Sequence, residues 1–158
     1  MNRNSLIVPC LTPRAVAETL DLKVPKRRGE TYKLACRNRY RWSVSSKCLS
    51  NRGPSLYTAQ EVVLMAIGGE LGPCLRLVRE VLACTSLIEQ RWDTIMADLY
   101  TEHRHFLVYR LGDRLASLET PPFLAHTIWS ATPQPVVVFN VVRHVEAVLE
   151  RITEEISK

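Results

Sequence analysis

Apolar positions in the middle of the chain fall at helical spacing, and those near its end fall in short β-like runs. Thr58-Ala-Gln-Glu61 has the pattern of a capping box, in which the Thr side chain and the Glu side chain each satisfy a free backbone N–H at a helix start. The apolar run at 62–67 continues that helix, which is expected to stop at Gly68-Gly69 or at Gly72. Pro73 is expected to open a second helix carrying Leu75, Leu77, Val78, Val81 and Leu82. Ser86 and Glu89 repeat the capping signal. Ile88, Trp92, Ile95 and Leu99 then form one stripe, suited to a core or to a dimer seam.

Upstream, residues 1–11 read as an arm or short strand. Thr12-Pro13 combines a good N-cap with a residue pre-organised for the first helical position, and Val16, Ala17 and Leu20 share one face of the helix that follows. Residues 30–40 read as helical, whereas Trp42-Ser43-Val44-Ser45 looks like a strand. With the turn composition of 49–55, residues 40–57 are expected to form a hairpin.

Towards the end, residues 105–111 read as a strand turned by Gly112-Asp113. Residues 116–135 contain Pro121, Pro122, Pro133 and Pro135 and are expected to be mostly loop. Residues 135–140 form a second β-branched strand. Asn140 caps a last helix lined by Val141, Val145, Leu149, Ile152 and Ile156, a second candidate dimer seam. The fold class is α+β, closing in a small strand-loop-strand-helix unit.

Charge divides the chain unevenly. Residues 1–52 carry twelve Lys/Arg against three Asp/Glu, a balance of +9, and residues 53–158 carry nine against thirteen, a balance of −4. Residues 23–52 hold ten of the basic residues and one acid, Glu30, with Tyr32, Tyr40 and Trp42 interleaved. A polyanion is the natural partner of such a segment, because each cation placed on a phosphate releases condensed counterions. The division suggests a basic binding module joined to a mildly acidic, independently packed part that serves dimerisation or partner binding.

Three stretches carry a family resemblance. Leu56-Tyr-Thr-Ala-Gln-Glu-Val-Val-Leu-Met-Ala-Ile67 resembles the segment after the wing in MerR-type winged helix-turn-helix regulators, with an aromatic, a Thr cap, a polar pair and an apolar helix. Leu11-Thr-Pro-Arg-Ala-Val-Ala-Glu-Thr-Leu-Asp-Leu22 is similar to that family's opening helix and turn, and residues 73–84 to the second helix after the wing. The resemblance covers about residues 11–84. It implies an N-terminal winged helix-turn-helix and a transcription regulator that binds duplex DNA, as a dimer, sequence-specifically. Two departures stand out: Lys23-Val-Pro-Lys-Arg-Arg-Gly29 occupies the usual place of the recognition helix, leaving 30–41 as the other candidate, and residues 86–100 are too short for the family's long coiled-coil helix.

The residues expected on DNA are Lys26, Arg27, Arg28, Lys33, Arg37, Arg39 and Arg41, with Lys47 and Arg52 holding phosphates from the wing. Phosphate contacts position such a protein, and one or two arginines are expected to read guanine. The alternative reading is a protein-interaction module, such as an anti-repressor or an RNA polymerase-associated factor, with only non-specific DNA affinity. An enzyme is not expected: the chain has no phosphate-binding glycine loop and no serine nucleophile elbow. His103 and His105 could share a strand face, yet no Cys-x-x-Cys or clustered third ligand joins them, so neither metal nor cofactor is expected. Five cysteines, an odd number without close pairs, read as thiols of a reducing cytoplasm. The apolar run at 62–67 is far below the roughly 20 residues of a membrane span.

Overall fold

Thr12, Thr31, Thr58 and Asn140 each open a helix by accepting a backbone N–H from the first turn. The computed structural model describes residues 10–24, 31–44, 56–75, 77–99, 101, 104–130 and 134–157. Among them are seven helices and one three-stranded antiparallel sheet, an α+β fold. No helix among these residues is long and apolar enough to cross a membrane.

Helix α1, Pro13–Thr19, has Pro13 in its first turn and buries Val16, Ala17 and Thr19. It ends in a turn where Asp21 adopts a left-handed φ of 48°, a conformation that a short polar side chain tolerates. Helix α2, Tyr32–Ser43, buries Cys36, Tyr40 and Ser43, the i, i+4, i+7 signature of one inward face. Trp42 and Ser43, expected in a strand, form the last turn of α2 instead, because Ser43 continues that buried stripe. The Val44 N–H donates to the Tyr40 carbonyl at 2.9 Å to close the turn. A hairpin over 40–57 therefore cannot begin at Tyr40. Residues 45–55, with Lys47 and Arg52, lie outside the described residues.

Leu11 and Tyr57 form an isolated antiparallel bridge, each N–H donating to the other's carbonyl at 3.0 and 2.8 Å. It ties the entry of α1 to the entry of α3, Ala59–Leu71. The capping box is present in full: Thr58 Oγ1 accepts the Glu61 N–H at 3.0 Å, and Glu61 Oε2 accepts the Thr58 N–H at 2.8 Å. Helix α3 is buried on nearly every side, as its unbroken apolar run requires. It passes through Gly68-Gly69 and ends at Gly72.

Pro73 does not open the next helix. It lies in a turn in which the Leu71 carbonyl accepts the N–H groups of Cys74 and Leu75, both at 2.9 Å. Helix α4, Val78–Gln90, starts where the Glu80 carboxylate can reach back to the Leu77 N–H, at 3.3 Å. Ser86 is consequently interior to α4 rather than at a helix start. After a break at Arg91, α5 runs Trp92–Asp98. Ile88, Trp92, Ile95 and Leu99 are all buried within the chain and form core.

The expected strand-loop-strand-helix ending is richer than its prolines suggest. β1, Phe106–Arg110, turns through 111–114 into β2, Leu115–Glu119. Helix α6, Pro121–Ser130, precedes β3, Val136–Asn140, and α7, Val141–Ile156. Pro121 and Pro122 occupy the first turn of α6, where a missing N–H costs nothing. The sheet order is β2-β1-β3, antiparallel throughout. Leu107, Tyr109, Leu118, Ala116, Phe139 and Val137 align on its inner face. Helix α6 lies on β1 and β2, and α7 returns across α3 and α1. The stripe Val141, Val145 and Ile152 is buried there, whereas Ile156 stays exposed. One hydrophobic cluster runs from Leu11 through α3 to Ile152.

Candidate nucleic-acid interface

Helix α2 carries Lys33, Arg37, Arg39 and Arg41 and no acid over its twelve residues. Its inward ridge of Cys36, Tyr40 and Ser43 packs between α1 and α3. At 3.6 residues per turn, Lys33, Arg37 and Arg41 form one flank of the helix and Arg39 lies on the other. Lys33 and Arg41 are exposed, whereas Arg37 and Arg39 are half-buried. The Arg39 guanidinium lies over Gly69 of α3, so it also packs the α2–α3 contact. Arg41 sits in the last turn of α2, where its charge complements the helix dipole.

Between these flanks, facing away from the core, are Leu34, Asn38 and Trp42, spaced four residues apart. With Leu22, Lys23, Thr31, Ala35 and Arg39 they line an open groove of about 540 Å³. Trp42 is 54% exposed. Among the residues expected on DNA, Lys33, Arg37, Arg39 and Arg41 are thus gathered on one helix. Lys26, Arg27, Arg28, Lys47 and Arg52 lie outside the described residues. Asn38 is not among the residues that the sequence alone singles out. Its signal is the i−4, i+4 relation to Leu34 and Trp42, on the face opposite Cys36 and Tyr40.

Tyr40 and Cys36 hold the fold beneath this face. Tyr40 packs edge-on to Tyr57, with ring centroids 5.9 Å apart, and donates to Glu61 Oε1 at 3.1 Å. Cys36 Sγ donates to the Pro13 carbonyl at 3.1 Å, and burial pushes its thiol pKa up to about 11, far from a reactive thiolate. Farther away, His105 Nε2 lies 2.9 Å from Asp98 Oδ2, joining the end of α5 to the start of β1. His103 lies outside the described residues. No group of three metal-ligating side chains occurs among the residues described.

A different surface stands out on α6. Leu124, Thr127 and Ile128 differ in exposure from Phe123 and Trp129, which are 63% and 78% exposed. Both aromatics fall in the stretch 116–135 expected to be loop, so the sequence gives no sign that one helix presents them together.

No protein-family model matches the chain, and no curated protein matches it either.

Proposed function

We propose that the protein is a cytoplasmic, sequence-specific DNA-binding transcription regulator, built at its N-terminus on a MerR-like winged helix-turn-helix and acting as a dimer on duplex DNA. The observation that carries this reading is α2: a capped helix with four cations and no acid, anchored by Cys36, Tyr40 and Ser43 and turned to solvent along Lys33, Asn38 and Arg41. In this reading α1 and α2 are the helix pair and α2 enters the major groove. Residues 45–55 occupy the wing's position in the sequence, between α2 and α3, and the Leu11–Tyr57 bridge closes the unit. The two apolar stripes suggested as dimer seams are largely consumed by the core, so a dimer in this reading uses other surface.

The test is selection of binding sites from random duplex DNA, followed by salt titration of the enriched duplex. A palindromic or repeated motif with a log–log salt slope of about −4 to −6 is expected, because each neutralised phosphate contributes about −0.9. A second reading, a protein-interaction module such as an anti-repressor or RNA polymerase-associated factor, is favoured by the exposed Phe123 and Trp129 of α6. It predicts no enriched motif and a protein partner instead.

A further inference from the structure

The outward face of α2 is not uniformly basic. Lys33, Arg37 and Arg41 line one side and Arg39, with Lys23 beyond it, the other, while Leu34, Asn38 and Trp42 run between them. Cations on both flanks of a neutral strip match a duplex groove, where two phosphate rows flank uncharged base edges. From Leu34 to Trp42 the strip rises eight residue steps, about 12 Å at 1.5 Å per residue. That is the length of about three to four base pairs at 3.4 Å each.

The chemistry of the strip selects among base pairs. An asparagine amide offers a donor and an acceptor side by side, the complement of adenine N7 and N6 in the major groove. Leu34 and Trp42, one turn to either side of Asn38, offer apolar surface, which suits the thymine methyl. Guanine calls for a bidentate cation in the centre of the strip. Arg37 and Arg39 are half-buried on its flanks, the latter held over Gly69.

Resting on the DNA-binding reading, we propose that α2 reads a short run of A·T pairs. Asn38 hydrogen-bonds one adenine, Leu34 and Trp42 contact thymine methyl groups, and Lys33 and Arg41 hold phosphates of one flanking row. Guanine readout by arginines, expected from the sequence, is replaced by adenine and methyl readout.

The test uses the full chain and the duplex enriched from the random pool. Affinity is measured for that duplex, for versions with single thymines replaced by uracil, which lacks the methyl group, and for versions with a single A·T pair replaced by G·C. Wild type is compared with Asn38→Ala and Lys33→Ala, and circular dichroism verifies folding of these surface variants. The expected result is an A·T core of three to four pairs, weaker binding after uracil substitution at one or two positions, and a wild-type preference for adenine of roughly 5- to 150-fold at one position. Asn38→Ala erases that preference alone, while Lys33→Ala weakens all duplexes alike. An enriched motif that ignores both uracil and Asn38→Ala, or whose core is G·C, overturns the A·T assignment and leaves DNA binding intact. Preference for single-stranded DNA regardless of sequence, the behaviour of base stacking on Trp42, overturns it too. A pool with no enriched motif overturns the DNA-binding reading and this inference with it.

Discussion

The hydroxyl of Tyr40 donates to Glu61 Oε1 at 3.1 Å, and the other oxygen of that carboxylate accepts the Thr58 N–H at 2.8 Å. One carboxylate therefore caps α3 and fixes the last turn of α2 at Tyr40. Tyr40→Phe keeps the ring packed on Tyr57 and removes the hydroxyl that donates to Glu61. It should cost about 1–2 kcal/mol, since hydrogen bonds to charged groups sit at the upper end of the usual range. Glu61→Gln, which retains a capping side chain, should cost less than Glu61→Ala. Thermal unfolding measures all three, and an unchanged Tm for Tyr40→Phe would show that the bond contributes nothing.

A second meeting of the same helices depends on a missing side chain. A Cβ placed on Gly68 would collide with the Ser43 side chain and come within 3.3 Å of the Ser43 Cα. At Gly69 the obstacle is the end of the Arg39 side chain, which can swing aside. Gly68→Ala should therefore destabilise by about 1–3 kcal/mol through overpacking. Gly69→Ala should be neutral or stabilising, because alanine is the better helix former by about 0.8–1.0 kcal/mol. Denaturant midpoints for the pair separate these outcomes, and equal losses at both positions would refute the contrast.

Local chemistry and tertiary packing divide what is legible in the sequence from what is not. The Thr58–Glu61 box, the Thr12-Pro13 start and the Asn140 cap are local, and each appears where the residues put it. Gly68-Gly69 reads as a stop because glycine weakens helices locally, yet packing against Ser43 uses its small size instead. The Trp42–Ser43 turn misleads for a similar reason: β-like composition yields to the helical stripe that Cys36 and Tyr40 bury. Strand β2 and helix α6 are hidden by prolines, two of which open a helix rather than break one. At the candidate site, charge points to the arginines. Asn38 becomes visible only once the inward face of α2 is known.

His144 provides a pH test of the C-terminal packing. Its ring stacks on Phe139, with centroids 4.0 Å apart, and burial lowers its pKa below the ordinary histidine value. Arg143 acts in the same direction, while Glu70 opposes it. The unfolded chain therefore binds the proton more readily than the folded one. Protonation of this histidine has no effect on stability well above pH 6.5, and stability falls as pH drops from about 6.5 towards the lowered folded-state pKa. His144→Phe should flatten that part of the stability curve. Denaturation across pH 5 to 8 compares the two proteins, and identical slopes would contradict the account.

Lys33 and Arg41 offer the cleanest probe of what α2 touches. Reversing Arg37, Arg39 and Arg41 together is a natural first design from sequence, since all three sit in the basic segment. Arg37 and Arg39 are half-buried, however, and Arg39 packs over Gly69, so that triple variant would confound binding with folding. Lys33 and Arg41 are exposed and lie two turns apart on one flank. Lys33→Ala with Arg41→Ala should leave stability within about 0.5 kcal/mol, as surface substitutions usually do. If both residues neutralise phosphates, the log–log salt slope should shrink in magnitude by about 1.8, which is 0.9 for each phosphate no longer neutralised. Reversal of the same two residues to glutamate should weaken binding further, because repulsion of the phosphates is added to the missing attraction. Wild-type affinity and salt slope in a folded double variant would remove α2 from the interface and shift the search to residues outside this helix.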